Sequence, residues 1–594
     1  MQGKKEKMKS DSKIVQRVKP YIQAMPDVFN YQIVTKLLLG VWIFLLKKIF
    51  SVLLKSSGRV ALTTGDWKFL FNTWQGLGIL ILGFVSLFVY VAFDLNSKIV
   101  LSREILSGEK VSFVECIKEG FASIRKLLNL RGLLVVLYIA LIAPILGFGV
   151  SISMTEELYI PTFISSVIKD SVLYSALAGI VTVVFFVAGI ANLFILHGIL
   201  IDDMPIDEAS RQSRAIIKAN WKDYLLRNIL YILTIGAILA AIAVVCLFLP
   251  LKIITSLALP KTLARILTIF FVLAGALVSG LADMFGIPMY LLKMTQLYYG
   301  YRQGSKFEFP DRTDESRRKI TITAAIVLVV VIVAVFLINA NFDKMFPAGT
   351  DVKVVAHRGG GNEGSENTVS GLKIAGDLGA SGSEIDVQRT KDGYYVINHD
   401  GSFKRVAGVR KKPKDMTLKE VKALSINGEP VPTFEEMLDA SKGRVVLFTE
   451  LKGSTADRQM ADDIVKTVKQ NHMEDECVII SLKYGVIDYI ETTYPEIETG
   501  FLTVASFGAT AELNCDYLGL EEESATVDAI NSIHREGKKV LVWTPNDKES
   551  QKYFLCSEAD GIITDNVKQA MKIASQLEDR SDLDRMVDRI KTVM

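Results

Sequence analysis

Long apolar runs in the first part of the chain constrain its fold more than any other feature. A helix needs about 20 mostly apolar residues to cross the hydrocarbon core of a bilayer. The chain has seven candidate runs, at Ile33–Leu54, Gly76–Leu95, Leu133–Ile152, Val172–Leu200, Leu225–Leu249, Ile266–Leu292 and Ile320–Asn339. Residues 31–340 are therefore expected to form a polytopic α-helical membrane domain. Lys36, Lys47 and Lys48 interrupt the first run, so a helix lying in the membrane interface is an alternative there.

Lysine and arginine are concentrated in alternate connections between these runs. Connections rich in these residues stay on the cytoplasmic side of a membrane. The basic stretches are the N-terminus over residues 1–30, Lys98–Arg131, Arg211–Lys222 and Arg302–Lys319. With seven helices this pattern predicts a multi-pass protein of the cell membrane, with a cytoplasmic N-terminus and an extracellular C-terminal domain.

From Val352 onward, short apolar strand-like runs alternate with helix-like stretches. Residues 351–575 are long enough for one (β/α)8 barrel, which takes roughly 200 to 400 residues. Nine strand-like runs are one more than such a barrel needs, so one run is expected outside it or in a hairpin. The predicted fold is thus a helical membrane domain followed by a soluble α/β barrel of the TIM type.

Charged residues end several of the predicted strands. In barrels of this kind the chemistry lies at the carboxyl ends of the strands. The residues concerned are His357 and Arg358, Glu384 and Asp386, His399 and Asp400, Glu450 and Lys452, and, near the end of a late strand, Trp543. We expect them to meet at one rim of the barrel.

The dipeptide Asp392-Gly393 is typical of a two-residue hairpin turn. Counting back from such a turn places Asp386 directly opposite His399, with Cβ atoms about 4.5–5.5 Å apart. A carboxylate and an imidazole are therefore expected to share one site.

Three carboxylates at one rim, those of Glu384, Asp386 and Glu450, would repel one another without a cation. Oxygen ligands favour one Ca²⁺ or Mg²⁺ ion over zinc. His357 and His399 suit a general acid and base pair if they flank the same bond. Taken singly, each of these residues has a structural explanation, such as a hydrogen-bonding strand-end histidine or a charged strand. Their joint placement is what predicts a site.

Two cations at the same rim indicate what the site acts on. The guanidinium of Arg358 offers a fork that fits a phosphate, and Lys452 adds a point charge. Two imidazoles, a metal ion and these cations are what in-line displacement at a phosphodiester needs. Taken alone, Lys452 would be a solvated lysine and Trp543 a packing residue. The net charge of +3 indicates no basic field, so no nucleic-acid partner is expected.

Five runs of residues together resemble the glycerophosphodiester phosphodiesterase family over about residues 352–566: HRGGGNEGSENT, SEIDVQRTKDGYYVINHD, TELK, VWTPN and GIITDN. The membrane half resembles, by its layout, the membrane domain fused to some bacterial members. Two positions depart from the family pattern. Ser365 stands where the family has proline, and GSFKRVAG keeps Arg405 but lacks the family's threonines. Both departures lie beside the predicted site at the barrel rim, the mouth of the barrel, and bear on the choice of substrate.

The resemblance implies a role for each matched residue. It makes His357 and His399 the acid and base. The metal ligands it implies are Glu384, Asp386 and Glu450, and the groups that bind the phosphate and glycerol are Arg358, Lys452, Glu366 and Trp543. It also implies a route, in which a glycerol hydroxyl attacks phosphorus and water opens the resulting cyclic phosphate.

The expected function is hydrolysis of glycerophosphodiesters to glycerol 3-phosphate and an alcohol at the outer face of the membrane. Deacylated phospholipids, lysophospholipids and glycerol-phosphate polymers such as lipoteichoic acid are the candidate substrates. One alternative is a phospholipase-like lyase that stops at the cyclic phosphate. Another is a lipid-binding or polymer-binding transport protein whose barrel captures a head group.

The charged tail over residues 576–594 has Leu583, Val587 and Ile590 at helical spacing. Such a helix could dock on the barrel, on the bilayer or on a second copy of the chain. The sequence therefore leaves open whether the chain forms a homo-oligomer.

Overall fold

The computed structural model describes residues 2–59, 61–63, 67–108, 110–138, 171–257, 259–304, 316–504 and 506–593. The chain divides into two compact units. One comprises Met1–Leu46 and Gly78–Ala340, and the other comprises Lys47–Leu77 and Asn341–Met594. The second unit is thus built from two separate stretches of the chain.

The first unit is helical. In the described residues the helices up to residue 340 are α1 (Gln2–Lys55), α2 (Trp67–Asn72), α3 (Trp74–Ser107), α4 (Phe113–Ala122), α5 (Leu130–Leu137), α6 (Val172–Ala191), α7 (Ile195–Ile201), α8 (Ile206–Ala243), α9 (Leu249–Ser256), α10 (Lys261–Gln303) and α11 (Ser316–Ala340). The short α2 belongs to the second unit. A stretch of π-helix, Val244–Phe248, joins α8 to α9.

Five helical segments of the described chain are long and apolar enough to cross a membrane: Pro20–Lys55, Trp74–Ser107, Val172–Ile201, Ile206–Ser256 and Lys261–Gln303. Helix α6 has no buried residue. An apolar helix that no protein covers is stable where lipid covers it, so the predicted helical membrane domain is confirmed. The predicted run Leu133–Ile152 lies mostly outside the described residues. The last predicted run falls within α11, whose segment Ile326–Ala340 is apolar but shorter.

The second unit contains a closed barrel of eight parallel strands. They are β2 (Lys353–Ala356), β3 (Gly382–Arg389), β7 (Val446–Leu451), β8 (Cys477–Ser481), β9 (Thr499–Thr503), β11 (Tyr517–Glu521), β12 (Lys539–Trp543) and β13 (Gly561–Thr564). Each pairs in parallel with the next, and β13 and β3 both pair with β2, which closes the ring. The predicted TIM barrel is confirmed. The ninth run, β4 (Tyr395–Ile397), pairs antiparallel with β3 outside the ring.

Helices and short strands connect the strands of the ring. The helices are α12 (Phe342–Met345), which precedes β2, then α13 (Val369–Asp377), α14 (Lys404–Ala407), α15 (Leu418–Lys422), α16 (Phe434–Ser441), α17 (Arg458–Gln470), α18 (Tyr484–Thr493), α19 (Val527–Arg535), α20 (Lys548–Leu555), α21 (Val567–Leu577) and α22 (Asp582–Val593). The short strands pair as β1 (Ala61–Thr63) with β10 (Ser506–Gly508), and as β5 (Ser425–Ile426) with β6 (Glu429–Pro430). Two apolar clusters of strand and helix residues form the outer core, and a smaller one with Val355, Phe448 and Ile563 fills the inside of the ring.

The predicted register of the β3–β4 hairpin is wrong by one residue. Val387 pairs with Ile397, which places Asn398 rather than His399 opposite Asp386. The turn is longer than two residues, because the backbone N–H of Thr390 donates to the carbonyl of Tyr394 (2.7 Å). The Thr390 hydroxyl also accepts the N–H of Tyr394 (2.9 Å).

The tail docks within the second unit. Arg585 of α22 is buried, and its Nε donates to the carbonyl of Phe346 (2.7 Å) while Nη2 donates to Asp343 (2.8 Å). Its guanidinium lies over the ring of Phe342, 4.9 Å from the centroid. The last helix therefore fastens the segment that links α11 to the first barrel strand.

Candidate active site

Three buried carboxylates lie together at the carboxyl ends of neighbouring strands. Asp386 of β3 and Glu450 of β7 are register partners, and Glu384 lies two residues before Asp386. One oxygen from each of the three lies within 4.8 Å of the others. Asn367 donates to Asp386 (2.8 Å) and orients it. The predicted metal ligands are thus brought to one place.

The ammonium of Lys452 bridges two of these carboxylates, at 2.7 Å from Asp386 and 2.8 Å from Glu450. Burial disfavours the charged lysine, but the surrounding carboxylates outweigh it and raise the pKa of Lys452. Lys452 therefore lies among the carboxylates, whereas we expected it to bind the substrate phosphate. Its contact to the substrate stays a prediction.

The charges of this cluster fit a divalent cation. Three ionised carboxylates and one ammonium carry a net charge of −2. Burial and the charges of Asp386 and Glu450 raise the pKa of Glu384 well above its usual value. Within the described part of the chain, Oε1 of Glu384 is buried with no hydrogen-bond partner. A bound Ca²⁺ or Mg²⁺ would supply both the missing charge and the missing contact.

His357 follows the first barrel strand, and its Nδ1 lies 2.7 Å from Asp565, just after the last strand. Burial raises the pKa of Asp565, but its hydrogen bonds to His357 and Asn546 outweigh burial and leave that pKa below the usual value. An ionised carboxylate only accepts, so Nδ1 of His357 carries the proton. Its other nitrogen, Nε2, lies 4.0 Å from Glu384.

His399 is held in the same way, with Nδ1 at 2.8 Å from Asp400. The hydrogen bond from Arg405 is the main reason why the pKa of Asp400 falls to about 2. Arg358 donates from Nη2 to Nε2 of His399 (3.0 Å), so this imidazole is neutral. Burial likewise lowers the pKa of His399. Each histidine thus has its Nδ1 fixed by an aspartate, whereas Nε2 of His399 accepts from Arg358 and becomes available only when Arg358 is displaced.

Arg405 links two loops of the mouth, one carrying Glu366 and the other carrying Asp400. Its guanidinium forms a fork with both oxygens of Glu366, at 2.5 and 2.6 Å, and donates from Nε to Asp400 (2.9 Å). Glu366 also lies 3.6 Å from Arg358. Glu366 is thus engaged by arginines, which fits an organising role better than direct contact with a substrate.

Two side-chain nitrogens of the mouth are buried without a partner in the described residues, Nε of Arg358 and Nε1 of Trp543. Both are donors only. Such donors suit the oxygens of a phosphate, as expected for both residues, and their role as substrate contacts stays a prediction.

Several positioning residues were missed from sequence. Asp565 is 208 positions from His357, and its sequence signal is its place in the run GIITDN of the family pattern. Gln388 donates to the carbonyls of Asn398 (2.6 Å) and Asp400 (2.8 Å), which holds the loop that carries His399. A buried glutamine beside a strand end has no sequence signal of its own.

Two family models match the chain. The one described as the membrane domain of glycerophosphoryl diester phosphodiesterase matches residues 15–337, and that of the glycerophosphoryl diester phosphodiesterase family matches residues 357–569. A glycerophosphodiester phosphodiesterase of Caldanaerobacter subterraneus is 28% identical over 227 residues, 36% of this chain and 93% of that relative. One of Bacillus altitudinis is 26% identical over 243 residues, 38% of this chain and 99% of the relative.

Solved structures also match the barrel half. A phosphodiesterase of Oleispira antarctica, in complex with the product sn-glycerol-3-phosphate, is 26% identical, with a TM-score of 0.36, and the match covers 38% of this chain and 96% of that one.

Replacing Glu384 with glutamine keeps the size of the side chain and removes one of the three charges. We expect the affinity of the full-length protein for Mg²⁺ or Ca²⁺ to fall by more than about tenfold, because a ligand oxygen and its charge are lost. Isothermal titration calorimetry measures this. Glu521→Gln is the matched control, since Glu521 is also a buried carboxylate at the carboxyl end of a barrel strand. Unchanged metal affinity in Glu384→Gln would contradict the assignment.

Proposed function

The chain belongs to the glycerophosphoryl diester phosphodiesterase family, and we propose that its barrel hydrolyses glycerophosphodiesters at the outer face of the cell membrane with one divalent cation. Family membership makes the chain a phosphoric diester hydrolase. The observation that carries the proposal is the pair of aspartate-held histidines at the same rim as the three-carboxylate cluster.

The cation would be held by Glu384, Asp386 and Glu450. When bound, it supplies positive charge that stabilises the developing charge on the phosphate oxygens. Arg358 and Trp543 bind those oxygens through their unpaired donors, which orients the phosphorus between the two histidines. Lys452 holds two of the carboxylates in place while their charges are buried.

His357 acts as the base and His399 as the acid. Nε2 of His357 takes the proton of the glycerol hydroxyl next to the phosphate, and that oxygen attacks phosphorus. The bond from phosphorus to the alcohol breaks, and His399 gives its proton to the leaving oxygen. Water then opens the cyclic phosphate with the two histidines in reversed roles, giving glycerol 3-phosphate.

The contact between Arg358 and His399 explains how His399 becomes an acid. Without substrate, Arg358 donates to Nε2 and keeps the imidazole neutral. A phosphate that binds Arg358 removes this donor and brings negative charge near the ring, and both changes favour a protonated His399.

Replacing Asp565 with asparagine tests the role of His357. The amide no longer fixes the proton on Nδ1 and no longer stabilises the protonated ring, so kcat should fall by about 10²–10⁴-fold while the fold persists. Asp560→Asn is the matched control. Asp560 lies on the same chain segment as Asp565 and likewise accepts a hydrogen bond from a histidine, His534 (2.9 Å), but outside the mouth. If both variants keep the kcat of the unsubstituted protein, His357 is not the base.

The substrate and the metal are tested together on the full-length protein in lipid nanodiscs. The panel contains glycerophosphocholine, a lysophospholipid and a glycerol-phosphate polymer, each with and without chelator, and phosphorus NMR follows the products. We expect glycerol 3-phosphate from at least one substrate, loss of activity with chelator, and recovery with Mg²⁺ or Ca²⁺. A cyclic phosphate that persists would indicate a lyase, and no turnover of any substrate would indicate a binding protein.

The outer location is proposed from the alternation of basic connections. Tyr394 is exposed in the barrel and Lys218 is exposed in a predicted inner connection. In intact cells, a membrane-impermeant maleimide should label Tyr394→Cys, and should label Lys218→Cys only after the cells are permeabilised. The reverse pattern would place the barrel in the cytoplasm.

A further inference from the structure

The ring of eight strands has one gap in its outer layer. Strands of a closed parallel barrel are buried on both faces, because helices cover the outside. Seven of the eight ring strands are followed by an α-helix. Between β9 and β11 the described residues contain the short strand β10 and the 3-10 helix Thr510–Glu512, but no α-helix. Yet Phe501 of β9, in the outer apolar cluster, is 1% exposed.

The ring of Phe501 packs against Tyr484 of α18, with 5.5 Å between the ring centroids. A distant stretch of the chain adds to the cover at this gap. Strand β1, in the connection between the first two long helices, pairs antiparallel with β10, which follows the carboxyl end of β9. Ala61 belongs to the same outer cluster as Phe501 and Leu513. Ala61 and Leu62 are each 5% exposed, as only a packed segment would be.

Further contacts make this stretch a folded element. Phe69 of α2 is buried, and the guanidinium of Arg59 lies 4.7 Å from the centroid of its ring. Leu54, at the end of α1, is 1% exposed. Residues 47–77 accordingly group with the barrel as one compact unit.

We propose that residues 56–59, 61–63 and 67–73 are an integral part of the catalytic domain and add to its outer layer where the barrel lacks a helix after its fifth strand. The segment holds the loop of β10, which borders the catalytic mouth because it follows the carboxyl end of a barrel strand. Strand pairing needs both partners in one compartment. The carboxyl end of α1 and the amino end of α3 therefore lie on the barrel's side of the membrane.

The pairing of β1 with β10 is independent of the substrate, and it relates the ends of α1 and α3 to the barrel without reference to loop charges. If α1 crosses the membrane, the N-terminus and the barrel lie on opposite sides, whichever side is the cytoplasm.

Disulfide cross-linking in the full-length membrane protein tests the pairing. Thr63 and Ser506 are register partners, whereas Thr63 and Gly508 are two residues out of register, about 7 Å further along the strand. Directly paired strand residues lie within the Cα distance of about 4.4–6.8 Å that a disulfide needs. Mild oxidation of Thr63→Cys/Ser506→Cys should cross-link at least about tenfold faster than that of Thr63→Cys/Gly508→Cys. Equal rates, or no cross-link in the first pair, would overturn the proposal.

A second pair of variants tests what the segment does. Ala61→Asp places a charge in the outer cluster, while Ser56→Asp places one at an exposed position of the same segment. We expect Ala61→Asp to raise amide hydrogen exchange in β9 and β10 and to lower kcat/KM several-fold, with Ser56→Asp unchanged in both. If Ala61→Asp behaves like Ser56→Asp, the segment does not hold the mouth. This outcome leaves the hydrolase proposal standing, because the unsubstituted protein remains active.

Discussion

The mouth of the barrel depends on the repulsion among three buried carboxylates. Two like charges about 5 Å apart repel by roughly 3 kcal/mol at an effective dielectric constant of 20. The ammonium of Lys452 pairs with Asp386 and Glu450 and relieves the repulsion between them. Among the described residues, Glu384 accepts a hydrogen bond from the backbone N–H of Arg358 alone (2.8 Å). It is thus the least compensated carboxylate, and a divalent cation would stabilise the cluster most at that point.

The loop after β2 places His357 and Arg358 beside the three carboxylates. Arg358 and Asn367 adopt positive φ angles of 51° and 56°, which cost a non-glycine residue roughly 1–2 kcal/mol each. Hydrogen bonds offset that cost, since Asn367 donates its N–H to the carbonyl of Arg358 (2.6 Å) and its side chain to Asp386. The same turn aims the N–H of Arg358 at Glu384. This one loop therefore donates hydrogen bonds to Glu384 and Asp386 and also carries His357 and Arg358.

The sequence predicted the features that local patterns encode. Strand ends carried His357, His399 and the three carboxylates, and the parallel barrel brought them together. The hairpin register was wrong because the hydroxyl of Thr390 closes a longer turn, a contact that the dipeptide Asp392-Gly393 does not reveal. Contacts across long separations were also missed. Arg405 was noticed as a retained residue, but its pairing with Glu366, 39 positions away, follows only from the folded loops.

The catalytic unit is larger than the stretch of sequence that matches the barrel family. The model of the barrel family matches residues 357–569, and the relative of Caldanaerobacter subterraneus is matched over 93% of its length but only 36% of this chain. In this chain the apolar cluster outside the fifth strand includes Ala61, which precedes the first barrel strand by nearly 300 positions. Packing, rather than continuity of the chain, sets the boundary of a domain, because apolar surface must be buried by whichever segment reaches it. Ala61, in the connection between two long apolar helices, therefore contributes to the apolar core of the catalytic unit.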